Sequence, residues 1–194
     1  MRTSNRFQNL SAFSLPKGFR GRSKVCVQFW WVVEASLFRW SPQFMYPFRR
    51  FLLRLFGAKI GKGVLVRPTV KTTYPWKVSI GDHSWIGDDV VLYSLSLINI
   101  GSDSVISQRS YICGGDHDMT EIDFPIRGRD ISIGNEVWVA AECFIAPGVS
   151  IGNGSVVGAR SSVFSSLPSE MVCFGSPCSP QYLRPRKTSS LEEK

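Results

Sequence analysis

From Ile133 to Val163 an aliphatic residue stands at every sixth position: Ile133, Val139, Ile145, Ile151, Val157 and Val163. The residue after it is small in five of the six cases, as Gly134, Ala140, Ala146, Gly152 and Gly158. Four positions after the aliphatic comes another short or β-branched residue: Val137, Cys143, Val149, Ser155 and Ser161. Neither the 3.6 period of a helix nor the period of 2 of a strand gives this beat. A short strand that turns a corner every six residues does. Each aliphatic then points inward, and each small residue stands where the backbone bends.

Three such faces close one triangular coil, and the step from Ile133 to Ile151 is accordingly eighteen residues. The same spacing recurs at Ile80, Ile86 and Leu92 and at Ile100, Ile106 and Ile112, with a fainter start at Ile60 and Val66. The pattern predicts an all-β solenoid of about five coils, beginning near residues 60, 80, 100, 133 and 151. Each inward aliphatic is worth roughly 1.5–3 kcal/mol when fully buried, so stacked coils build a core that none could close alone.

The early coils repeat every 20 residues, but the step from Ile100 to Ile133 is 33. The excess of thirteen falls at "DMTEIDFPIRGRD", residues 118–130, directly after His117. A solenoid can expel such an insertion as an external loop without disturbing the stack, and loops on rigid scaffolds are where binding sites tend to be placed. The chain therefore divides into a basic N-terminal segment with two short helices (1–57), a hexapeptide-repeat β-helix (58–175) and a C-terminal tail (176–194), of which "TSSLEEK" reads as disordered.

Charge separates the first part from the rest. Residues 1–77 carry fifteen Lys or Arg against one acid, Glu34, whereas residues 78–194 carry eight bases and fourteen acids. No zinc-finger, helix-turn-helix or RNP-like pattern accompanies the bases, so a nucleic-acid partner is not expected. An anionic lipid surface or a pyrophosphate-linked substrate fits them better. The start lacks the apolar region and cleavage site of a signal peptide.

Val25 to Trp40 is apolar, but it is sixteen residues long and interrupted by Glu34 and Arg39. Crossing a bilayer takes about 20. It reads as a helix packed on the domain or lying in a membrane interface. Phe48, Phe51, Leu52, Leu55 and Phe56 mark a second, amphipathic helix, with Pro47 in its first turn and Gly57 at its stop. Arg49, Arg50 and Arg54 fall on its other side, as a solvated basic face or one meeting phosphate head groups. The five cysteines are odd in number and form no CxxC pair, which points to a reducing compartment.

"WIGDDVVLYSLSLINIGSDSVISQRSYICGGDHD" followed by "IGNEVWVAAECFIAPGVSIGNGSVVGARSSV" resembles the hexapeptide-repeat acyltransferases of the colanic acid biosynthesis acetyltransferase type, relatives of the galactoside and maltose O-acetyltransferases. The similarity covers roughly Phe51 to Arg186. The resemblance implies a left-handed parallel β-helix, acetyl-CoA as acyl donor without a metal, a sugar or lipid-linked oligosaccharide acceptor, and a homotrimer with the donor in grooves between neighbouring β-helices. Together with the basic N-terminal segment it points either to the cytoplasm at large or to the inner face of a membrane. This chain reads Gly-Gly-Asp before "HD", so Gly114 stands where relatives carry threonine and Asp116 where they carry a neutral polar residue.

Acyl transfer from a thioester needs a base for the acceptor hydroxyl, and a neutral imidazole near its ordinary pKa of about 6.5 suits that task. His117 is the candidate. Asp116 or Asp118 would hold its tautomer, and Ser94, with Tyr93, would meet the acceptor or the developing oxyanion. Carried over from the resemblance, Trp138, Ala140 and Ala141, then Gly158, Ala159 and Arg160, would line the donor. Arg184, Arg186 and Lys187 would meet its 3′-phosphate. His83 reads as an exposed corner residue, and two histidines cannot assemble a three-histidine zinc site. Two other readings are an N-acetyltransferase on an amino sugar and a non-catalytic β-helix that binds glycan or a partner protein.

Overall fold

The structure, a computed structural model, describes residues 6–186. Lys187 and "TSSLEEK" lie outside the described residues. From Lys59 onward the chain winds into three parallel sheets. The first face stacks Lys59–Ile60, Val78–Ile80, Ile98–Ile100, Ile131–Ile133 and Ser150–Ile151. The second stacks Leu65–Val66, Trp85–Ile86, Val105–Ile106, Trp138–Val139, Val156–Val157 and Met171–Gly175. The third stacks Lys71–Thr72, Val91–Tyr93, Tyr111–Cys113, Phe144–Ile145 and Ser162–Val163.

Ile60, Ile80, Ile100, Ile133 and Ile151 are in direct register, and the six-spaced residues from Ile133 to Val163 are at most 3% exposed. The inward serines at the corners are buried as well. Ser84, Ser104 and Ser110 donate to the carbonyls of Gly101, Gly134 and Ala140 in the coil above, at 2.6–2.9 Å, which is what lets a hydroxyl sit in an apolar core.

Three details differ from the expectation. A partial sixth turn follows the five coils: Leu167 bridges to Ile151, and Met171–Gly175 pairs with Val156–Val157. The beat misses it because the step from Val163 to Leu167 is four. The small residues do not carry the bend either. Positive φ falls on His83, Asp103 and Glu136 at one corner and on Asp89, Arg109, Glu142 and Arg160 at the next. Gly134 is small for closeness: a Cβ there would lie 2.4 Å from Asn153 Oδ1 of the next coil. Finally, the chain after residue 176 is not yet tail, since Cys178–Leu183 folds back antiparallel on Met171–Gly175 and extends the second face.

Ahead of the solenoid lie α1 (Lys24–Val33) and α2 (Tyr46–Leu55), with a π-helical stretch, Glu34–Phe38, continuing α1. Ser23 caps α1 by accepting from the Cys26 N–H, and Gly57, at φ +94°, ends the turn after α2. Trp30, Phe38, Leu52 and Phe56 bury against the first coil, and Trp30 donates its indole N–H to the Thr72 carbonyl at 2.7 Å.

The arginines of α2 reverse the expected polarity. Rather than standing free as a solvated or phosphate-docking face, all three bond back to main-chain carbonyls, Arg49 fully buried, Arg50 half-buried and Arg54 still exposed. Arg49 is 0% exposed and donates to the carbonyls of Val66, Pro42 and Gln43 and to the Ser41 hydroxyl. Arg50 donates to Val64 O and Arg54 to Ile60 O and Gly61 O. The first coil has no coil beneath it, so its outward carbonyls lack ladder partners, and guanidinium groups supply them. Among the described residues no helix is long and apolar enough to cross a membrane.

Candidate active site

The excursion after the third coil is a hairpin that starts at Gly115, ahead of the expected loop start. Gly115–His117 pairs antiparallel with Ile126–Gly128, which sets His117 opposite Ile126 and Asp116 opposite Arg127. His117 thus sits in the stem, at the corner between the third and first faces. Its Nδ1 is 2.8 Å from the Phe124 carbonyl oxygen. A carbonyl only accepts, so Nδ1 carries the hydrogen, and in the neutral ring Nε2 keeps its lone pair. No hydrogen bond engages Nε2 among the described residues. The ring stacks on Phe124 (centroids 4.4 Å apart, planes at 9°), with Phe13 on its flank at 6.1 Å.

Neither aspartate reaches the imidazole, which corrects the role expected of them. Arg127 takes both: Nε meets Asp116 Oδ1 at 2.9 Å, Nη1 meets Asp118 Oδ2 at 2.9 Å, and Nη2 donates to the main-chain oxygen of His117 at 3.1 Å. The Thr120 hydroxyl and N–H, ahead of Arg127, hold the Asp118 carboxyl below its ordinary pKa. The three charges fix the hairpin stem, and through it the His117 backbone.

Ser94 is corrected as well. It is fully buried, its hydroxyl accepting from the Tyr74 N–H at 2.8 Å and donating its hydrogen to Tyr74 O at 3.0 Å, so it has neither a free donor for an oxyanion nor any surface open to an acceptor. Tyr93 is half-buried and starts an aromatic ladder up the third face: Tyr93 to Tyr111 is 5.9 Å, Tyr111 to Phe144 6.1 Å and Phe144 to Phe164 6.0 Å between centroids. Burial pushes the Tyr111 phenol up to about 12.

Trp138, Ala140, Ala141, Gly158, Ala159 and Arg160 come together along the corner between the second and third faces. Trp138 is about half exposed and donates Nε1 to Ser107 Oγ at 3.0 Å. Gly158 stays small because a Cβ would lie 2.8 Å from that of Phe174. Arg160 is exposed and pairs with Glu142 at 2.7 Å, and Arg109 grips the same carboxylate from below.

Arg184 and Arg186 do not join this ridge. The returning strand Cys178–Leu183 carries them to the opposite corner, where Arg184 donates to the carbonyls of Glu136 and Gly154 and Arg186 pairs with Glu170 at 2.6 Å. These bonds hold the returning strand against the corner it meets.

Below Trp138, on the same face, lies a groove of about 640 Å³ lined by Trp85, Tyr46, Arg67, Asp88, Ser107 and Arg109, among others. Sequence reading missed it, although Trp85 and Trp138 share one outward register position, each just before an inward aliphatic. It also missed Phe124, whose contribution is a backbone carbonyl. Among the described residues no cluster of three His, Cys, Asp or Glu is placed to hold a metal ion.

Residues 130–165 match the family described as bacterial transferase hexapeptide (six repeats). The chain is 59% identical over 170 residues to the putative colanic acid biosynthesis acetyltransferase of Escherichia coli, covering 88% of this chain and 93% of that protein. Its fold matches a galactoside acetyltransferase solved in complex with coenzyme A (TM-score 0.78, 23% identity, 89% of this chain and 85% of that one). It also matches a hexapeptide-repeat acetyltransferase of Vibrio cholerae solved with acetyl coenzyme A (TM-score 0.76, 22% identity, 84% and 89%). With a parallel solenoid, one excluded hairpin bearing His117, and near-full-length similarity at this level, the chain belongs to the hexapeptide-repeat acetyltransferases.

Proposed function

We propose that this chain transfers an acetyl group from acetyl-CoA to a sugar hydroxyl of an exopolysaccharide or oligosaccharide precursor, of the kind colanic acid assembly requires, and that His117 is the general base. The observation that carries the reading is the Phe124 carbonyl on Nδ1. It leaves Nε2 as the one ring nitrogen able to take a proton, at the mouth of an excluded loop. Acetyl-CoA supplies an acyl carbonyl already activated as a thioester. Nε2 removes the proton of the acceptor hydroxyl as its oxygen bonds to that carbonyl, and the imidazolium returns the proton to the departing sulfur.

The ridge of Trp138, Ala140, Ala141, Gly158, Ala159 and Arg160 suits the donor, because small side chains let a backbone approach a pantetheine arm closely. The groove beneath Trp138 suits the acceptor. An exposed indole stacks on a sugar face, while Asp88, Ser107 and Arg109 offer hydrogen bonds to hydroxyls.

His117 and the donor ridge stand on different corners of one chain, separated by the aromatic third face. A complete site therefore calls for His117 of one copy to face the ridge of another, as in a homotrimer with three equivalent clefts. The reaction belongs in the cytoplasm, at the inner face of the membrane where lipid-linked precursors are built.

The test is incubation of purified protein with labelled acetyl-CoA and a panel of sugar nucleotides, lipid-linked oligosaccharides and amino sugars. Mass spectrometry of the product identifies the acylated atom. His117→Ala is expected to lower kcat by roughly 10²–10⁴-fold while coenzyme A binding persists. Unchanged turnover in that variant removes His117 from the chemistry.

A further inference from the structure

α1, the π-helical stretch after it and α2 turn one apolar surface away from the solenoid. Val25, Phe29, Val32, Leu37 and Trp40 recur along the outward side of the first helix, and Phe51 and Leu55 along the second; all are 57% exposed or more, and Trp40 is 82% exposed. The two stripes are continuous. Phe29 lies 5.5 Å from Phe56 at the end of α2, and Leu37 and Trp40 line a shallow groove with Met45 and Phe48 from its beginning. A patch of this extent on a soluble domain marks something that covers it.

The charges around it identify the cover. Glu34, the single acid in residues 1–77, turns inward and accepts from the Thr72 N–H, so no carboxylate in this segment faces out. Arg49, Arg50 and Arg54 are committed to carbonyls of the first coil and its approach. Four of the remaining bases stand at the rim. Lys24 lines one groove with Val25, Phe29 and Val32, Lys17 and Arg22 adjoin Lys24 in the next, and Arg39 precedes Trp40. A protein partner would have to offer an apolar surface ringed with acids. A bilayer with anionic head groups offers both at once, acyl chains for the aliphatic and aromatic groups and phosphates for the rim, with indole favoured at the boundary.

We propose that this face seats the protein on an anionic phospholipid surface, with Phe29, Val32, Leu37, Trp40 and Leu55 at the acyl boundary and Lys17, Arg22, Lys24 and Arg39 on the phosphates. The inference stands on the helices alone, so it and the chemistry proposed for His117 fail separately.

Flotation of the full chain with vesicles of phosphatidylcholine, with and without phosphatidylglycerol, tests it, read beside solution mass and acetyl transfer to a soluble acceptor. Recovery is expected with phosphatidylglycerol and not without it. It is lost in the triple variant Phe29→Ser, Trp40→Ser, Leu55→Ser and falls about fivefold for each of Lys24→Gln and Arg39→Gln, with cooperative thermal unfolding retained and soluble-acceptor transfer unchanged throughout. Absence of binding, or equal recovery from both vesicle types, overturns the proposal. So does a fall in solution mass in the triple variant, which assigns the face to a second copy of this chain.

Discussion

The solenoid and the helices ahead of it use the same apolar residue types in opposite ways. In the solenoid every six-spaced aliphatic goes inward, and the outward neighbours Trp85 and Trp138 are left to the groove and the ridge. In the helices the apolar residues divide, Trp30, Phe38, Leu52 and Phe56 inward and Phe29, Trp40, Phe51 and Leu55 outward, while a fully buried arginine takes a core position. A coil within a stack has like neighbours above and below, so its backbone groups are satisfied by ladders, and inside go apolar side chains and the small serines that bond the next coil's carbonyls. The end coil offers a neighbouring helix a row of unpaired carbonyls, and that makes donors as useful as hydrocarbon at the interface.

The contrast can be broken by mutation. Ile106→Ala in the stacked core is expected to cost about 4 kcal/mol in urea unfolding, since the cavity is walled by two rigid coils. Arg49→Leu is isolated from any repeat, yet should cost about 3 kcal/mol by leaving the Val66, Pro42 and Gln43 carbonyls without a donor. Arg49→Lys should not rescue it, because a single ammonium cannot span that fan of acceptors. A loss under about 1 kcal/mol in either Arg49 variant would show that water serves these carbonyls equally well.

Glu34 sharpens the comparison through pH. Burial raises its carboxyl from 4.5 to about 7, against the opposing pull of the Thr72 N–H and Lys71. Between those values the folded chain holds a proton that the unfolded chain has released. Stability therefore falls as pH rises from about 4.5 to 7, by roughly 3 kcal/mol, and is level above. Glu34→Gln should remove that slope and leave the variant the more stable at pH 8; parallel melting curves for the two proteins across this window would exclude the mechanism. Smallest of all, Phe51→Ser on the outward helix face should change stability by no more than about 0.5 kcal/mol, as measured by thermal unfolding. A core-sized loss there would mean that the face is already covered in solution.

For the site, the six-residue beat was readable to the residue, and the excess of thirteen located the hairpin within a few positions of Gly115. His117 stood out as the candidate because a break in a strict pattern is visible in one dimension. Its partners were not. The Phe124 carbonyl is a backbone atom with no residue signature, and Asp116 and Asp118 look like partners of a neighbouring histidine until Arg127, nine or more positions on, is folded across from them. Ser94 and Arg184 were misplaced for the same reason: residue type shows what a side chain can bond, not which backbone group will reach it first.

The chain's periodicity by itself determined the solenoid and its register, and placed the hairpin's exit to within a few residues, because a repeat that buries one residue in six specifies inside and outside at every step. Only the tertiary structure decided what the charged and polar side chains do. Their partners are set by direction and distance across coils and helices, and a guanidinium as far as 17 residues from the carbonyl it meets is placed there by packing that no local pattern encodes.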